Sequence, residues 1–342
     1  MNQSIALLTV LIIWNLITFL LMKIDKVKAI KNKYRISEKT LFLSDFLLGG
    51  LGILCGMYVL RHKTKHTKFK VLVPLVVVVN IFLVYSLFQF VSGIGISHYA
   101  IKSNSIPSEF DGFKILQISD LHCAIFGDKQ EGLVNKVKAE KPDIIVLTGD
   151  MIDEGIGDME SISDLLDGIT AIAPVYSVSG NHDKWYHGFL ELQKLIEDKK
   201  VTLLENKSGK ITRNGKYINI FGIGDPDVWD YTKAEQYLEK SMSTLKPSDG
   251  YNILLFHRAN MFDSIKGKGY QLVLSGHMHG GQIQIPFIGG LLSPHGDWFP
   301  KYTQGKYEED GTVMIVSRGL GNSMKIPRVF NPPELVVVTL RH

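Results

Sequence analysis

Three apolar segments in the first 91 residues are each about as long as a membrane-spanning helix. They cover residues 1–22, 41–60 and 71–91 of the 342-residue chain, and about 20 apolar residues are enough to cross the hydrocarbon core of a bilayer. The first segment has neither a basic start nor a small-residue cleavage site, which favours a permanent anchor over a removed signal peptide. The sequence therefore predicts a membrane region over residues 1–91 with two or three transmembrane helices.

The charge of the chain changes sign near the end of this region. Residues 1–101 contain 12 Lys and Arg against 3 Asp and Glu, whereas the remaining residues contain 26 against 31. Two basic loops, residues 23–39 and 61–70, carry much of the positive charge. Basic residues beside apolar spans set membrane topology and contact anionic headgroups. We therefore expect a membrane as partner and no nucleic acid, because the acidic remainder lacks the basic face that phosphate backbones require.

The two basic loops also bear on which side of the cell membrane the rest of this multi-pass chain lies. Three full spans would place the loops on opposite sides. If the segment 41–60 dips into the membrane without crossing it, both loops lie inside and the rest of the chain emerges outside, which satisfies the positive-inside rule best. A plain span remains the common outcome for such a run. The balance favours an extracytoplasmic domain.

Two polar residues, Asp45 and Asn80, lie inside the second and third apolar segments. Polar groups at membrane depth are costly, and they are retained where they are paired or functional. The simpler interpretation is that these two residues pair with each other or with backbone groups inside a small helical bundle.

From residue 113 the chain alternates strand-like and helical runs, after a connector over residues 92–112 that is rich in Gly and Ser. This alternation favours α/β layering, with ligands at the carboxyl ends of strands. Later runs are short strands with fewer helices between them. Two sheets packed face to face, with helices outside, would accommodate both halves. The expected organisation is a membrane region over 1–91, a linker over 92–112 and one domain over 113–342.

Five clusters of metal-binding residue types follow the strand-like runs of this domain. In chain order they are Asp120-Leu121-His122, Gly149-Asp150, Gly180-Asn181-His182-Asp183, His257, and Gly276-His277-Met278-His279. Residues two apart leave a strand on the same face, so each pair can reach one ion, and the glycines allow close approach of the backbone. Each cluster is weak by itself, but five in order indicate a metal site with Asp150 at its centre, where one carboxylate could bridge two ions.

The order of these clusters resembles the calcineurin-like metallophosphoesterase superfamily, over roughly residues 113–340. The stretches FDGFKILQISDLH, GHMHGGQIQIP and SRGLG are similar to the bacterial membrane-associated branch that includes YkuE-like and YaeI-like phosphoesterases. That branch also includes enzymes that cleave the pyrophosphate of UDP-diacylglucosamine. The resemblance implies a four-layer αββα sandwich of two mixed sheets after the transmembrane region. Residues 1–91 resemble a small bacterial membrane-protein family without known chemistry.

The resemblance also implies a role for each site residue. The implied ligands are Asp120, His122 and His279 for a first ion, Asn181, His257 and His277 for a second ion, and Asp150 as the bridge between them. The implied catalytic residues are His182, as acid or phosphoryl stabiliser, and Asp183, which would orient His182. Mixed oxygen and nitrogen ligands suit Mn, Fe or Zn better than Ca. Two such ions could share a hydroxide, lower its pKa and support in-line displacement at phosphorus.

Two hypotheses for the function follow. The first is a membrane-anchored, binuclear metal-dependent phosphohydrolase that uses the bridging hydroxide on a phosphodiester or pyrophosphate, in a small-molecule, lipid-linked or nucleotide-lipid substrate. The second is a membrane sensor or scaffold that retains the metal site for ligand recognition. His182 favours the enzyme, because a binding site has no use for a histidine that faces the ions without holding them.

Two later features could contribute to a substrate pocket. Arg318 could clamp a second phosphate, and the loop from Phe287 to Lys306 could cover the site or meet lipid. The oligomeric state stays open.

Overall fold

The chain divides into two compact units, Met1–Gly93 and Ile94–His342, here called the N-terminal unit and the C-terminal unit. The computed structural model describes residues 3–91, 93–285, 287–324 and 326–342. Residues 1 and 2 of the first predicted span and residue 92 of the predicted linker lie outside the described residues.

The N-terminal unit is helical. Its helices are α1 (Gln3–Ile30), α2 (Glu38–Ser44), α3 (Gly50–Val59) and α4 (Thr67–Val91). Within the described residues, three stretches are long and apolar enough to cross a membrane, namely Ala6–Ile30, Glu38–Val59 and Thr67–Tyr85. Each of the three predicted apolar segments therefore corresponds to one of these stretches, and the first stretch continues past its predicted end at residue 22.

The second apolar stretch is not one regular helix. Between α2 and α3 the residues Asp45–Gly49 form a wider turn, in which Leu48 has a left-handed backbone with φ 67°. Side chains of α1 bind the carbonyl oxygens of this interruption: Trp14 Nε1 donates to Leu47 O (2.8 Å), Asn15 Nδ2 to Leu48 O (2.9 Å) and Thr18 Oγ1 to Gly49 O (2.9 Å). Irregular backbone inside a membrane needs such partners, because lipid tails offer none.

Asp25, near the end of α1, ties both basic loops to this helix. Its buried carboxylate lies 2.8 Å from Arg35 Nη2 and 2.8 Å from His62 Nε2. It also accepts a hydrogen bond from the backbone N–H of Ile36 at 3.0 Å. Arg35 of the first loop and His62 of the second are therefore held near the end of α1.

The described residues of the C-terminal unit form two six-stranded mixed sheets and a two-stranded ribbon. The strands are β1 (Gly95–Lys102), β2 (Lys114–Ile118), β3 (Ile144–Thr148), β4 (Val175–Val178), β5 (Thr202–Leu203), β6 (Lys207–Arg213), β7 (Lys216–Ile223), β8 (Asn252–Arg258), β9 (Leu272–Gly276), β10 (Gln284–Ile285), β11 (Gly289–Gly290), β12 (Gly305–Glu309), β13 (Thr312–Val316) and β14 (Glu334–Arg341). The sheet orders are β1-β14-β2-β3-β4-β5 and β12-β13-β9-β8-β7-β6, and β10 pairs with β11. The helices are α5 (Glu131–Glu140), α6 (Met159–Thr170), α7 (Asn181–Trp185), α8 (Phe189–Asp198), α9 (Tyr231–Thr244) and α10 (Phe262–Ile265).

Three apolar cores separate four layers in this unit. Alternate residues of a strand point to opposite faces of its sheet. In β3, Ile145 and Leu147 pack with α5, α6 and α8, whereas Ile144 and Val146 pack between the two sheets. The outer face of the second sheet packs on α9 and α10, as Leu254 does from β8. The predicted four-layer αββα sandwich of two mixed sheets is therefore confirmed.

Part of the predicted linker is a strand of this sandwich. β1 pairs in parallel with β14, from Gly95 opposite Glu334 to Lys102 opposite Arg341. The prediction of a connector over residues 92–112 is therefore wrong for β1. The strand lies at the edge of its sheet and is only partly buried, so it lacks the long apolar run of the central strands, and the Gly and Ser residues around it suggested a linker.

Candidate metal centre

The predicted ligands meet where strands of both sheets end. Asp120, Asp150 and Asn181 follow β2, β3 and β4, which are parallel neighbours in the first sheet. His257 lies near the end of β8 and His277 follows β9, its parallel neighbour in the second sheet. The carboxyl ends of parallel strands share one edge of a sheet, so the fold itself collects these side chains.

The backbone reverses sharply at five of the site residues. Their φ angles are positive: Asp120 50°, His122 46°, Asp150 54°, His277 72° and His279 46°. Residues other than glycine rarely adopt this left-handed conformation, and it costs on the order of 1–3 kcal/mol at each position. The packing around the strand ends holds these turns in place. Strained backbone of this kind is common at functional sites, where it positions side chains.

A first group of side chains comprises Asp120, His122, Asp150 and His279. All four are buried, and each offers one ligand atom within 4.8 Å of the others. The Nε2 atoms of His122 and His279 lie 3.1 Å apart. Asp150 Oδ2 is 3.7 Å from His122 Nε2, and Asp120 Oδ1 is 3.5 Å from His279 Nε2. These atoms converge on one point and could hold a divalent ion.

A second group, Asp150, His257 and His277, adjoins the first. His257 Nε2 lies 3.0 Å from Asp150 Oδ2 and 3.3 Å from His277 Nδ1. The other ring nitrogen of His257 is 2.7 Å from the carbonyl oxygen of Thr148, to which it can donate, and this leaves Nε2 free to bind an ion. Because Asp150 belongs to both groups, its carboxylate can bridge two ions.

The unpaired polar atoms of the site suit cations. Asp120 Oδ2 and the amide oxygen of Asn181 are buried, and neither has a hydrogen-bond partner among the residues that the structure describes. Buried acceptors without donors are rare in folded proteins, and both of these are oxygen ligands of the kind that divalent metals accept. The residues present therefore fit the two-ion centre that the sequence predicts.

The electrostatics of the site also favour bound positive charge. Burial lowers the pKa of His122 to about 3 and, with neighbouring positive groups, holds the pKa of His277 and His279 well below the ordinary value. These rings are therefore neutral, which is the form that binds metal. Burial opposes protonation of His257, yet Asp150 raises its pKa to about 10. A positive charge beside Asp150 is thus strongly stabilised, and a divalent ion can supply it in place of that proton.

His182 lies at the rim of the site, with 15% of its side chain exposed. Its ring centre is 4.6 Å from that of His122. Its Nδ1 forms a hydrogen bond with a carboxylate oxygen of Glu154, four residues after Asp150. The contact that the sequence analysis assigned to Asp183 is therefore made by Glu154. The sequence gives only a weak indication of this contact. Glu154 follows Asp150 by four residues, and it reaches His182 only because the loop between them turns back.

Asp183 instead holds the loop that carries Asp150. Its two carboxylate oxygens accept hydrogen bonds from four backbone N–H groups, those of Asp150 (2.8 Å), Met151 (2.9 Å), Ile152 (3.1 Å) and Gly180 (2.8 Å). A carboxylate that accepts this many backbone hydrogen bonds fixes the chain around it. Asp183 is thus placed to position Asp150.

Asp183→Ala is expected to lower the free energy of unfolding by about 3 kcal/mol or more, because it leaves four buried N–H groups without an acceptor. Asp183→Asn should also destabilise, since its NH₂ group would face donors. Chemical denaturation of the full chain checks this. An unchanged unfolding midpoint together with reduced turnover would return Asp183 to the orienting role that the sequence suggested.

Two further residues at the site were not predicted. Arg328 Nη2 lies 3.1 Å from His279 Nδ1, and His295 Nε2 lies 2.8 Å from His277 Nε2. Both come from loops that follow the last motif. Arg318, which the sequence offered as a phosphate clamp, instead forms an ion pair with Glu334 at 3.1 Å. Arg328 thus places a positive group against the candidate metal centre.

An aromatic rim borders the same site. Trp185 lies 5.2 Å from the His182 ring and stacks on Trp229 with 4.5 Å between ring centres. Trp229 also meets the His295 ring edge-on at 5.4 Å. Trp185 follows the Gly180–Asp183 cluster by two residues, whereas Trp229 lies in a segment without any motif. The rim offers flat apolar surface beside the predicted ions.

Comparisons with known proteins identify two families along the chain. A family described as calcineurin-like phosphoesterase matches residues 113–281, and a family described as a protein of unknown function, DUF1294, matches residues 15–69. The uncharacterized metallophosphoesterase YkuE of Bacillus subtilis is 32% identical over 256 residues, which are 72% of this chain and 85% of YkuE. The phosphodiesterase YaeI of Escherichia coli is 26% identical over 274 residues, which are 73% of this chain and 93% of YaeI.

Among solved structures, the phosphopantetheinyl hydrolase of Mycobacterium tuberculosis matches with a TM-score of 0.40 and 13% identity. The match covers 60% of this chain and 89% of that one.

The two-sheet sandwich and its cluster of His and Asp side chains agree with the metallophosphoesterase class that these comparisons indicate. The chain belongs to the calcineurin-like metallophosphoesterase family, as its similarity to YkuE over most of both chains establishes.

Proposed function

We propose that this chain is a membrane-anchored phosphohydrolase that uses two divalent ions to cleave a phosphodiester or pyrophosphate bond. The observation that carries the proposal is the position of Asp150, whose carboxylate is shared by two groups of buried ligands. The N-terminal unit would supply the anchor through its three apolar helices.

The ligand groups would divide between the ions as follows. Asp120, His122 and His279 would hold one ion, Asn181, His257 and His277 the other, and Asp150 both. Ions held in this way supply Lewis acidity, which activates water and neutralises phosphoryl oxygens. The mixed nitrogen and oxygen ligands suit Mn, Fe or Zn better than Ca. The neutral rings of His122, His277 and His279 are ready to bind without first losing a proton.

His182 would act on the leaving group. In its protonated form the ring can donate Nδ1–H to Glu154, which fixes the ring, and it carries the transferable proton on Nε2. From the rim of the site, Nε2 can protonate the departing oxygen of the substrate. In this arrangement His182 is the catalytic residue, and Glu154 and Asp183 are positioning residues.

Hydrolysis of a bis-aryl phosphodiester by the full-length protein tests the proposal. Chelation should abolish activity, and Mn²⁺, Fe²⁺ or Zn²⁺ should restore it while Ca²⁺ should not. A protein that binds these ions with no turnover of any phosphodiester or pyrophosphate would instead support the alternative of a membrane sensor or scaffold.

An exposed apolar surface beside the site supports a lipid-linked substrate. It consists of Phe287, Ile288, Trp298 and Phe299, each at least 58% exposed. Ile288 and Phe299 line one surface cavity of about 230 Å³. Aromatic and aliphatic side chains that face water together often mark a membrane or ligand contact. We call these four residues the apolar tip.

The apolar tip belongs to the same loop that reaches the metal centre. Leu291 and Leu292 donate to the carbonyl of Gly281, next to the last histidine motif, at 3.1 and 3.0 Å. From the same loop, His295 contacts His277. One segment therefore carries both a group at the reaction centre and apolar side chains for a lipid tail. This arrangement supports a phosphate headgroup at the ions with its acyl part on the tip.

Alkyl p-nitrophenyl phosphodiesters of increasing chain length test this part of the proposal. In the full-length protein, kcat/KM is expected to rise from the methyl to the dodecyl ester, and Trp298→Ser with Phe299→Ser to remove about tenfold or more of that gain. The wild type and the double variant should cleave the methyl ester with equal kcat/KM. Leu190→Ser, which alters an equally exposed apolar residue on α8, is the matched control. A kcat/KM that does not depend on the alkyl chain length of the substrate would exclude lipid recognition by the apolar tip.

We also propose that the C-terminal unit is extracytoplasmic. The interruption at Asp45–Gly49 supports a second apolar stretch that does not cross the membrane as one straight helix. Both basic loops can then lie inside, as the positive-inside rule favours.

Labelling in intact cells checks this location. With the two free cysteines, Cys55 and Cys123, replaced, a single cysteine at the exposed position Asn104 is expected to react with an impermeant maleimide. Labelling only after lysis would place the unit in the cytoplasm. A single cysteine at Lys65, in the second basic loop, should show the opposite behaviour.

A further inference from the structure

The interruption of the second apolar helix buries a carboxylate without a partner. Asp45 is the first residue of the irregular turn and is fully buried. Across the described residues, neither of its carboxylate oxygens has a hydrogen-bond partner, and the side-chain oxygen of Asn80 has none either. Asn80 Nδ2 donates to the backbone oxygen of Asp45 at 2.7 Å. The expected pairing with backbone is thus found for the amide of Asn80, but it leaves three acceptor oxygens unpaired on two touching residues.

Asp45 is not neutralised by any charged side chain that the structure describes in the N-terminal unit. The described ion pairs of this unit join Asp25 to Arg35, His62 and Lys63, and Glu38 to Lys63 and His66. No ion pair between described residues includes Asp45. The α1 side chains nearest the interruption donate to its carbonyl oxygens and are therefore already engaged. An isolated carboxylate among apolar helices is strongly disfavoured unless a positive charge accompanies it.

We infer that Asp45 and Asn80 form an exchangeable site for one small monovalent cation, a proton or a sodium ion. The site offers two carboxylate oxygens and one amide oxygen, which are hard ligands of the type that such cations take. Interrupted helices build ion sites of this kind in membrane transporters, where irregular backbone lies within protein. A site in this unit is separate from the metal centre of the C-terminal unit, so the inference does not depend on the proposed hydrolysis.

Gly50 leaves the space that the site needs. A Cβ atom at this position would lie 2.7 Å from Asp45 Oδ1 and 2.8 Å from Asn80 Nδ2. Both distances are shorter than normal contacts, so any larger residue would push the carboxylate and the amide apart. Gly50→Ala therefore disturbs the site while it keeps both polar residues.

Infrared difference spectroscopy on the full-length protein in lipid nanodiscs tests the inference. In sodium-free choline chloride, the wild type is expected to show a protonated-carboxyl band that is missing in Asp45→Asn. Sodium chloride should convert this band to a carboxylate band if the site takes sodium. If the site takes only protons, alkaline buffer should convert it and sodium should not. Glu38→Gln removes an exposed carboxylate of the same unit and should leave the response intact.

Two results would overturn the inference. One is a wild-type spectrum that matches that of Asp45→Asn in every buffer. This result would mean that Asp45 does not bind a proton or a sodium ion in a buried site. The other is a carboxyl band that responds to neither sodium nor pH, which would make Asp45 permanently neutral. If Asp45→Asn fails to fold, Gly50→Ala provides the test in its place. This variant should show a several-fold weaker change of the carboxyl band with sodium or alkaline buffer. Thermal unfolding of each variant shows which of them are folded.

Discussion

Asp150→Asn is expected to lower phosphodiester hydrolysis by several orders of magnitude. The change removes the one negative charge that both ligand groups share, and with it the means of holding two ions together. Asn retains a side-chain oxygen, so the hydrogen bond that Asp150 Oδ1 accepts from the His182 backbone at 2.8 Å can persist. The variant should therefore fold. Turnover of the bis-aryl phosphodiester with added Mn²⁺ measures the effect, and His277→Ala should show a similar loss.

Asp198→Asn is the matched control for this loss, because it makes the same chemical change at an exposed position at the end of α8. Its activity should equal that of the wild type. Retention of most activity by Asp150→Asn would contradict a centre in which one carboxylate serves two ions.

His182→Ala is expected to reduce kcat by a factor on the order of 10²–10⁴, the range for loss of a general acid. Its metal content should stay near that of the wild type, because the ligand groups built around Asp150 do not need this ring. Glu154→Gln should shift the pH profile of kcat, since it removes the charge that faces His182 Nδ1. Elemental analysis and pH–rate profiles provide the measurements.

His187→Ala is the control for this variant, since His187 is an exposed histidine five positions further along the chain. Two outcomes would revise the role of His182. Loss of bound metal in His182→Ala would make this residue a ligand, which its position within 4.8 Å of a His122 and an Asp153 ligand atom would permit. Unchanged turnover with full metal content would remove it from the reaction.

The parts of the site that the sequence predicted are those fixed by strand ends. Asp120 and Asp150 follow parallel neighbours of the first sheet, and His277 follows a strand of the second sheet. The ends of these strands therefore bring the three residues together, whatever course the loops take. Glu154, His295 and Arg328 reach the site only through the course of loops, which a residue pattern does not encode. Asp183 was assigned the wrong contact because nearness in sequence to His182 suggested an orienting role, whereas the turn directs its carboxylate to backbone N–H groups.

The same contrast holds for the fold. The central strands were predictable because they are buried on both faces and read as continuous apolar runs. β1 was missed because an edge strand needs apolar residues on fewer positions. The sequence did indicate the interruption of the second apolar stretch, because Asp45 and the pair Gly49-Gly50 lie within it. Its stability depends on donors from α1, which lies far away in sequence.

Electron paramagnetic resonance of the full-length protein loaded with Mn²⁺, together with its metal content, tests the central claim most directly. Two Mn²⁺ ions that share the Asp150 carboxylate are expected to give a spin-coupled signal at two ions per chain. Asp150→Asn should lose that coupling, whereas Asp198→Asn should keep it. A wild-type protein with a single ion per chain and an uncoupled Mn²⁺ signal would contradict the binuclear centre.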